Sequence, residues 1–490
     1  MQIGYPLGPA SLTAALKAKG IEVKIFDTVF YRFEGELDIN DRRAEMLHSV
    51  RPVDYSSVGI HDKLTGPMDD LTKLVKDFDP DLIGLTAIES VFARGLELVK
   101  CAKKAKNVPA VAGGVFATLA PDIVINEPAI DMVCIGEGED VICEVAGAMA
   151  SGRDYTGIKG LWAKKGKEVV KNGMMPLKGL DEVPEPDFSA FDPLLIYRPM
   201  QGKLFRTVPV ELSRGCPFMC TYCAEPALNG LYRKNGEKGY FRKKSIPKVL
   251  GELERTIKEY NPEFFYFATE TFLAMTDAEF EAFVEGYRRI KLPFWIQTRV
   301  ETITRKRIEK LKEVGLYWLT IGIEHGNEEY RKKYLKRHTK NSDVARVIKI
   351  LDDAGMGASL NNIIGFPFET KELIRDTIDL NHELFSLNNR LRFNVSLFTP
   401  FRGCELYDLC VSNGMMEPVP YITHHNISDG SLVRSDFITA EELDGLFRTF
   451  NLYVYLPDSY NSRIREAEKF TEKGNGEFNA LNAEVEKYLK

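Results

Sequence analysis

In Ser213-Arg214-Gly215-Cys216-Pro217-Phe218-Met219-Cys220-Thr221-Tyr222-Cys223, three cysteines fall within eight residues at the spacing CxxxCxxC. The stretch follows directly on Val208-Pro209-Val210-Glu211-Leu212, an apolar run that reads as a strand. Three thiolates on one tight loop hold three irons of a 4Fe–4S cluster. No fourth cysteine lies nearby, so one iron is left open to a substrate or cofactor. The rival reading is a structural zinc site, but such sites are usually closed by four ligands, commonly paired CxxC units, and no partner pair is present. The other cysteines, Cys101, Cys134, Cys143, Cys404 and Cys410, are scattered and expected to be small buried hydrophobes. Eight cysteines in so long a chain are not a disulfide framework and point to a reducing compartment.

Working outward, Phe264-Phe265-Tyr266-Phe267, Phe294-Trp295-Ile296-Gln297, Trp318-Leu319-Thr320-Ile321, Asn361-Asn362-Ile363-Ile364 and Arg392-Phe393-Asn394-Val395 continue the strands, with helical stretches between them. Six βα units in sequence predict a partial (β/α)6 barrel of the TIM type, with its active site at the C-terminal strand ends. Upstream, Ile21–Phe26, Asp81–Thr86, Val108–Ala112 and Met132–Ile135 read as strands alternating with helices. That pattern predicts an α/β, Rossmann-like domain with a parallel sheet. Its turns carry Gly113-Gly114 and Gly136-Glu137-Gly138-Glu139 at the carboxyl ends of strands, where ligands bind in such sheets. Gly160–Lys164 and Glu168–Lys171 flank Lys165-Gly166-Lys167 as a hairpin, and the prolines of Leu180–Asp187 mark a linker. Beyond 400 the pattern is mainly helical, over Ala440–Tyr455 and Asn461–Lys473. The expected units are 1–155, a hairpin and linker over 156–200, the barrel over 201–400 and a helical region over 401–490.

Composition agrees with about three domains in 490 residues. Hydrophobic residues are 44% and charged residues 28%, which excludes a disordered or fibrous chain. The net charge of −6 argues against a nucleic-acid binder, which needs a basic footprint. No apolar run approaches the roughly 20 residues of a membrane helix. Met1-Gln2-Ile3-Gly4-Tyr5-Pro6 lacks a basic segment followed by an apolar one, so no signal peptide is expected and the location is expected to be cytoplasmic.

The cysteine loop resembles the signature of the radical S-adenosylmethionine (radical SAM) superfamily. The resemblance implies that Cys216, Cys220 and Cys223 ligate the cluster and that Tyr222 packs near the adenine of SAM. Phe267-Ala268-Thr269-Glu270-Thr271-Phe272 stands where the superfamily binds the SAM amino group, in place of its GGE form, which implicates Thr269 and Glu270. Gln297 and Arg299 end a later strand, and Arg299 suits the SAM carboxylate. Its other reading is a surface arginine capping the barrel mouth. Gly322-Ile323-Glu324-His325-Gly326-Asn327 resembles the GIExG segment, with Glu324 on the ribose or amino group. A strand-end carboxylate is costly to bury without a partner, which favours that ligand role. Ile364-Gly365-Phe366-Pro367 resembles the family's GFP turn. His325 is read as a neighbour of this pocket rather than a base, and His424-His425 as an adjacent pair whose side chains diverge on a strand.

Gly84-Leu85-Thr86-Ala87, Gly113-Gly114-Val115-Phe116-Ala117-Thr118 and Gly136-Glu137-Gly138 resemble the cobalamin-binding domain fused to such barrels. Thr86, Ala87, Gly113, Gly114, Val115, Thr118, Gly136, Glu137 and Gly138 are thereby the expected cobalamin contacts, with Pro6, Leu7 and Gly8 of the first segment. The other reading is a Rossmann-type domain whose glycine turns serve packing only. The strand that normally precedes Tyr5-Pro6-Leu7-Gly8 looks short or missing, and no DxHxxG motif is present, so no histidine is expected beneath cobalt. Pro400–Cys404 resembles the PxxGT segment that ends these barrels, with Cys404 in place of threonine. Arg448–Tyr453 resembles a C-terminal region that covers the barrel mouth.

Together these imply a cobalamin-dependent radical SAM C-methyltransferase, of the class B type, working anaerobically. The cofactors would be a 4Fe–4S cluster, SAM and methylcobalamin. Such enzymes methylate an unactivated carbon through a 5′-deoxyadenosyl radical and methylcobalamin, and the cofactors carry the radical chemistry. A cyclase of the anaerobic porphyrin type shares the layout. A cobalamin or redox sensor is the non-enzymatic alternative, which would not need the SAM residues. The partners implied are a small-molecule or peptide side-chain substrate and an electron donor such as flavodoxin or ferredoxin.

Overall fold

The computed structural model describes residues 4–32, 48, 51–423 and 430–489. The first sheet has the order β1 (Ile83–Thr86), β2 (Ala110–Gly113), β3 (Met132–Cys134), β4 (Leu161–Lys165), β5 (Glu168–Lys171). Strands β1 to β3 are parallel, and β4 and β5 are antiparallel additions. Helix Glu89–Ala105 packs on β1 and Glu139–Ala150 shares a core with β3 and β4, while Pro67–Phe78 packs on the first of these helices and Leu7–Lys17 on the second. The hairpin therefore extends the sheet instead of standing apart from it in the linker unit. One expected strand is corrected. Ile21–Phe26 is left without a ladder. Its alternating half-burial is what the residue pattern reports; ladder pairing depends on a neighbouring strand, which that pattern does not encode.

The second sheet has seven strands in the order β14 (Arg392–Leu397), β13 (Ser359–Ile364), β12 (Leu316–Glu324), β11 (Phe294–Thr298), β10 (Phe264–Phe267), β7 (Lys203–Val210), β6 (Tyr197–Met200). Six strands are parallel, and β6 pairs antiparallel on the edge of β7. The sheet curls into a partial barrel. Leu319, Ile321 and Ile323 of β12 are buried, whereas the alternate residues Trp318, Thr320 and Gly322 are half-buried. The period of two separates an apolar face under the helices from a more open face. On that open face Tyr266 stacks on Trp295 at 4.1 Å, with the Arg198 guanidinium 3.8 Å over the tyrosine ring.

The open edge of β14 is sealed from the C-terminal region. Tyr455 Oη accepts the Phe393 N–H at 3.2 Å, and Asn451 Nδ2 donates to the Phe393 carbonyl at 3.0 Å. Both belong to helix Ala440–Tyr455, and covering an edge this way blocks edge-to-edge pairing. The helix expected over Asn461–Lys473 is two helices, Asn461–Ala467 and Glu472–Val485. Thr471 caps the second by accepting from Gly474 N at 3.1 Å. His48 holds this end, its ring nitrogens 3.2 and 3.1 Å from Glu486 and Asn482. Among the described residues no helix is long and apolar enough to cross a membrane.

Candidate active site

The cysteine loop leaves the sheet through a two-residue strand, β8 (Ser213–Arg214). It turns at Gly215, where φ is +82° and a Cβ would lie 3.0 Å from the backbone of Phe241. Only glycine fits that turn without strain. Cys216, Cys220 and Cys223 follow on one loop, and Cys223 N donates to the Cys220 carbonyl at 3.2 Å. The loop is pinned from outside. Leu406 N donates to the Thr221 carbonyl at 3.1 Å, and the Cys404 thiol to the Tyr222 carbonyl at 3.2 Å. Cys404 is thus the small buried residue the sequence suggests. Burial raises the Cys216 and Cys223 thiol pKa values, with Glu270 adding to both. Metal binding would displace those protons. Among the described residues no three His, Cys, Asp or Glu side chains gather around a single-ion position. A 4Fe–4S cubane makes no such demand, because each thiolate takes its own iron.

Two carboxylates stand beside the thiols. Glu270 is solvent-accessible but ringed by protein, and this desolvation raises its pKa. Glu225 opens helix Glu225–Lys234 beside the Cys216 backbone, and its Oε2 is buried with no partner. Burial and the neighbouring Glu270 push its pKa up to about 7. This anionic corner fits a cationic ligand such as the sulfonium and ammonium of SAM. Nothing in the residue pattern singled out Glu225 beyond its place two residues after the last loop cysteine. Thr269 is buried, its hydroxyl paired with that of Ser213.

Glu324 ends β12 at φ +70° and is buried. Its Oε1 is 3.5 Å from Arg337 Nη1, and the same nitrogen donates to Tyr222 Oη at 3.0 Å. Arg337 also donates to the Gly322 carbonyl. Arg337 thus offsets part of the burial cost within the protein, a partner that the residue pattern did not offer. Burial still raises the Glu324 pKa. Arg337 lies in the cation-rich stretch Arg331–Lys340, where the residue pattern singled out no site residue. Tyr222 meets Phe366 of the GFP turn edge-on at 6.0 Å. Gln297 is half-buried, and its carbonyl accepts from Phe272 N at 2.9 Å. Arg299 is buried, which corrects its surface reading. It contacts Glu301 Oε1 at 2.6 Å and Cys220 Sγ at 3.0 Å and stacks 3.9 Å over Phe218.

His325 is fully buried, with Nε2 at 2.9 Å from Glu369 Oε1 and Nδ1 accepting from Asn327 N at 3.0 Å. Glu369 in turn accepts the Gly365 and Phe366 N–H groups. The pair bolts the turn after β12 to the turn after β13, which gives His325 a structural task. His424-His425 lie outside the described residues.

In the first domain, Thr86, Gly113 and Gly114 end neighbouring strands. At Gly114 φ is +102°, and a Cβ would lie 3.2 Å from the Ala87 carbonyl and 3.4 Å from Thr86 Oγ1. Thr118 Oγ1 donates to the Gly114 carbonyl at 2.9 Å and accepts from Gly136 N at 3.0 Å, knitting the two glycine turns together. Val115 begins the next helix. Pro6 caps helix Leu7–Lys17, with Leu7 and Gly8 in its first turn. The carboxylate of Glu137 is committed to Arg242 and, at 3.3 Å, to Arg214, both in the barrel. The Glu137 side chain is therefore turned to the barrel, and only its backbone is left facing the cradle expected for cobalamin. The glycine cradle fits a ligand lying close to backbone. Gly114→Trp is expected to reduce bound cobalamin from about one per chain to near zero while about four irons remain, read by absorbance and iron assay. The Pro400–Ile422 segment also reaches this domain: Glu89 accepts from Arg402 N at 2.9 Å and Ile422 N at 3.0 Å.

Comparison with known proteins agrees with this geometry. The profile of the radical SAM superfamily matches residues 210–380, and that of the B12 binding domain matches 2–146. An uncharacterized methyltransferase of Pyrococcus horikoshii is 29% identical, over 84% of this chain and 84% of its own length. An anaerobic magnesium-protoporphyrin IX monomethyl ester cyclase of Rubrivivax gelatinosus is 26% identical, over 72% of this chain and 63% of its own. The radical SAM methyltransferase TsrM from Kitasatospora setae, solved with cobalamin and a [4Fe-4S] cluster, superposes with a TM-score of 0.61 at 15% identity. That match covers 99% of this chain and 96% of TsrM, a likeness of fold.

Proposed function

We infer function from membership: the chain belongs to the radical SAM superfamily and carries a B12-binding domain ahead of its barrel, and we propose that it is a cobalamin-dependent C-methyltransferase. The observation that carries the proposal is the contact between the Gly136–Glu139 turn of the first domain and Arg214, two residues before the first loop cysteine. It brings a cobalamin-type cradle and a cluster loop into one site. Bound together, the cluster, SAM and cobalamin supply one-electron reduction, a radical from SAM and a transferable methyl group.

The chain's own residues would do the following. Cys216, Cys220 and Cys223 hold the cluster and leave one iron free for SAM. Glu225 and Glu270 attract the cationic end of SAM. Thr269, Gln297, Arg299 and Glu324 orient the rest, and Tyr222 packs near its adenine. Thr86, Ala87, Gly113, Gly114, Val115, Thr118, Gly136 and Gly138, with Pro6, Leu7 and Gly8, cradle cobalamin. The half-open face around Trp318, Asn361 and Asn394 receives the substrate, a small molecule or a peptide side chain. An acidic flavodoxin or a ferredoxin delivers the electron, in the cytoplasm. The cyclase is the second reading, favoured by the likeness to the Rubrivivax enzyme. Methyl transfer uses SAM twice, so 5′-deoxyadenosine and S-adenosylhomocysteine are expected to accumulate together during turnover. Formation of 5′-deoxyadenosine alone, measured by chromatography, would favour the cyclase.

A further inference from the structure

The short strands β8 and β9 (Arg242–Lys243) pair antiparallel with Arg214 opposite Arg242. Like charges directly opposite one another destabilise a strand pair. Both guanidinium groups are largely buried, so water screens them poorly. The barrel therefore builds a cationic fork that needs anions. Glu211 of the barrel supplies one, at 2.9 Å from Arg214 Nε. The others come from the first domain. The Glu137 carboxylate lies between the two arginines, and Glu139 Oε1 is 2.7 Å from Arg214 Nη2 and accepts from Ser11 Oγ at 2.7 Å. The backbone joins in, since Glu137 N donates to Tyr232 Oη at 2.9 Å. Gly136 leaves room for that hydroxyl, because a Cβ there would sit 2.4 Å from it. Tyr232 is stacked on Tyr240 at 4.9 Å.

The grip comes from both flanks of the cluster loop. Arg214 precedes Cys216, and Tyr232 and Arg242 follow Cys223. Within the barrel Glu211 is the carboxylate paired with Arg214, and the acidic turn supplies Glu137 to both arginines and Glu139 to Arg214. We infer that Arg214, Arg242 and Tyr232 form a clasp for the Gly136–Glu139 turn that fixes the first domain's ligand cradle in register with the cluster loop. Arg214, Arg242, Glu137 and Glu139 are then positioning residues for group transfer between the two centres. The inference rests on the function proposed above for its catalytic consequence, but not for the clasp itself.

The test uses Glu139→Gln and Arg242→Gln in the full chain, with Glu139→Asp as the conservative control. Without cofactors, amide hydrogen exchange over 136–139 and 213–214 is expected to speed up at least tenfold in both Gln variants and less in Glu139→Asp. Unchanged protection overturns the clasp whatever the enzyme does. In the holoenzyme, dipolar electron paramagnetic resonance between the reduced cluster and cob(II)alamin is expected to give one narrow distance in the parent and a broad spread in Glu139→Gln. Product formed per 5′-deoxyadenosine is expected to fall about tenfold or more, with 5′-deoxyadenosine formation itself within about threefold. Equal distances and equal coupling overturn the positioning role. A parent enzyme that makes 5′-deoxyadenosine but no methylated product contradicts the proposed function instead, and the exchange data still decide the clasp.

Discussion

Replacement of Cys216, Cys220 and Cys223 together by alanine is expected to take iron from about four atoms per chain after anaerobic reconstitution to near zero, and to abolish SAM cleavage. The other cysteines offer no rescue. Cys404 is turned to the Tyr222 carbonyl, Cys101 to the Met68 carbonyl, Cys134 and Cys410 are buried in apolar clusters, and Cys143 is a lone half-buried thiol on helix Glu139–Ala150. The fold is expected to survive, because the loop is anchored by backbone contacts such as Leu406 N to the Thr221 carbonyl, and Cys216 and Cys223 are half-buried. Iron content, the visible absorption of the cluster and 5′-deoxyadenosine formation are the readouts. A triple variant that keeps both cluster and cleavage would remove the loop from the active site.

The second large effect is expected at Arg337. Arg337→Met keeps much of the side-chain volume but leaves the buried Glu324 carboxylate without its counter-charge. Breaking a buried pair from one side costs about 3–5 kcal/mol. The loss should depend on pH in a stated direction. Burial already raises the Glu324 pKa, so the folded state holds that proton more readily than the unfolded chain. Stability from such a group falls as pH rises through its folded pKa. The Arg337→Met deficit is therefore expected to be largest at neutral pH and to shrink toward acid, and Glu324→Gln in the same chain should recover part of it. Urea unfolding followed across pH measures this. A deficit that is flat with pH, or a double variant no better than the single, would contradict the pairing.

What could be read from residue order follows from how local each signal is. All six parallel barrel strands were legible, and Phe264–Phe267 agrees end to end, because apolar β-prone runs bounded by helices carry their own signal. Helix Ala440–Tyr455 was legible in both bounds. Thr439 and Glu442 close a capping box at its start. The antiparallel edge strand β6 was not read, since Tyr197-Arg198-Pro199-Met200 carries a proline and no alternation. The break before Glu472 turned on a single N-cap threonine. In the site, the placing of the three cysteines on one loop after a strand was legible from their spacing. Arg337 and Glu369 were not, because they reach Glu324 and His325 from another strand end or loop, and Glu225 was not, because only the fold shows its burial beside Glu270. The ion pairs of Glu137 were not legible either. A Gly-Glu-Gly-Glu turn at a sheet edge signals a ligand cradle, and only the fold shows that its carboxylates point at Arg214 and Arg242.

The central claim is that a methyl group of SAM ends up on a carbon of the substrate, and isotope transfer tests it most directly. Turnover of the reconstituted holoenzyme with SAM carrying three deuterium atoms in its methyl group, followed by mass analysis of the product, should show a product heavier than substrate by a labelled methyl. Product formed together with 5′-deoxyadenosine but carrying no deuterium, with no S-adenosylhomocysteine released, would contradict methyl transfer and support ring formation.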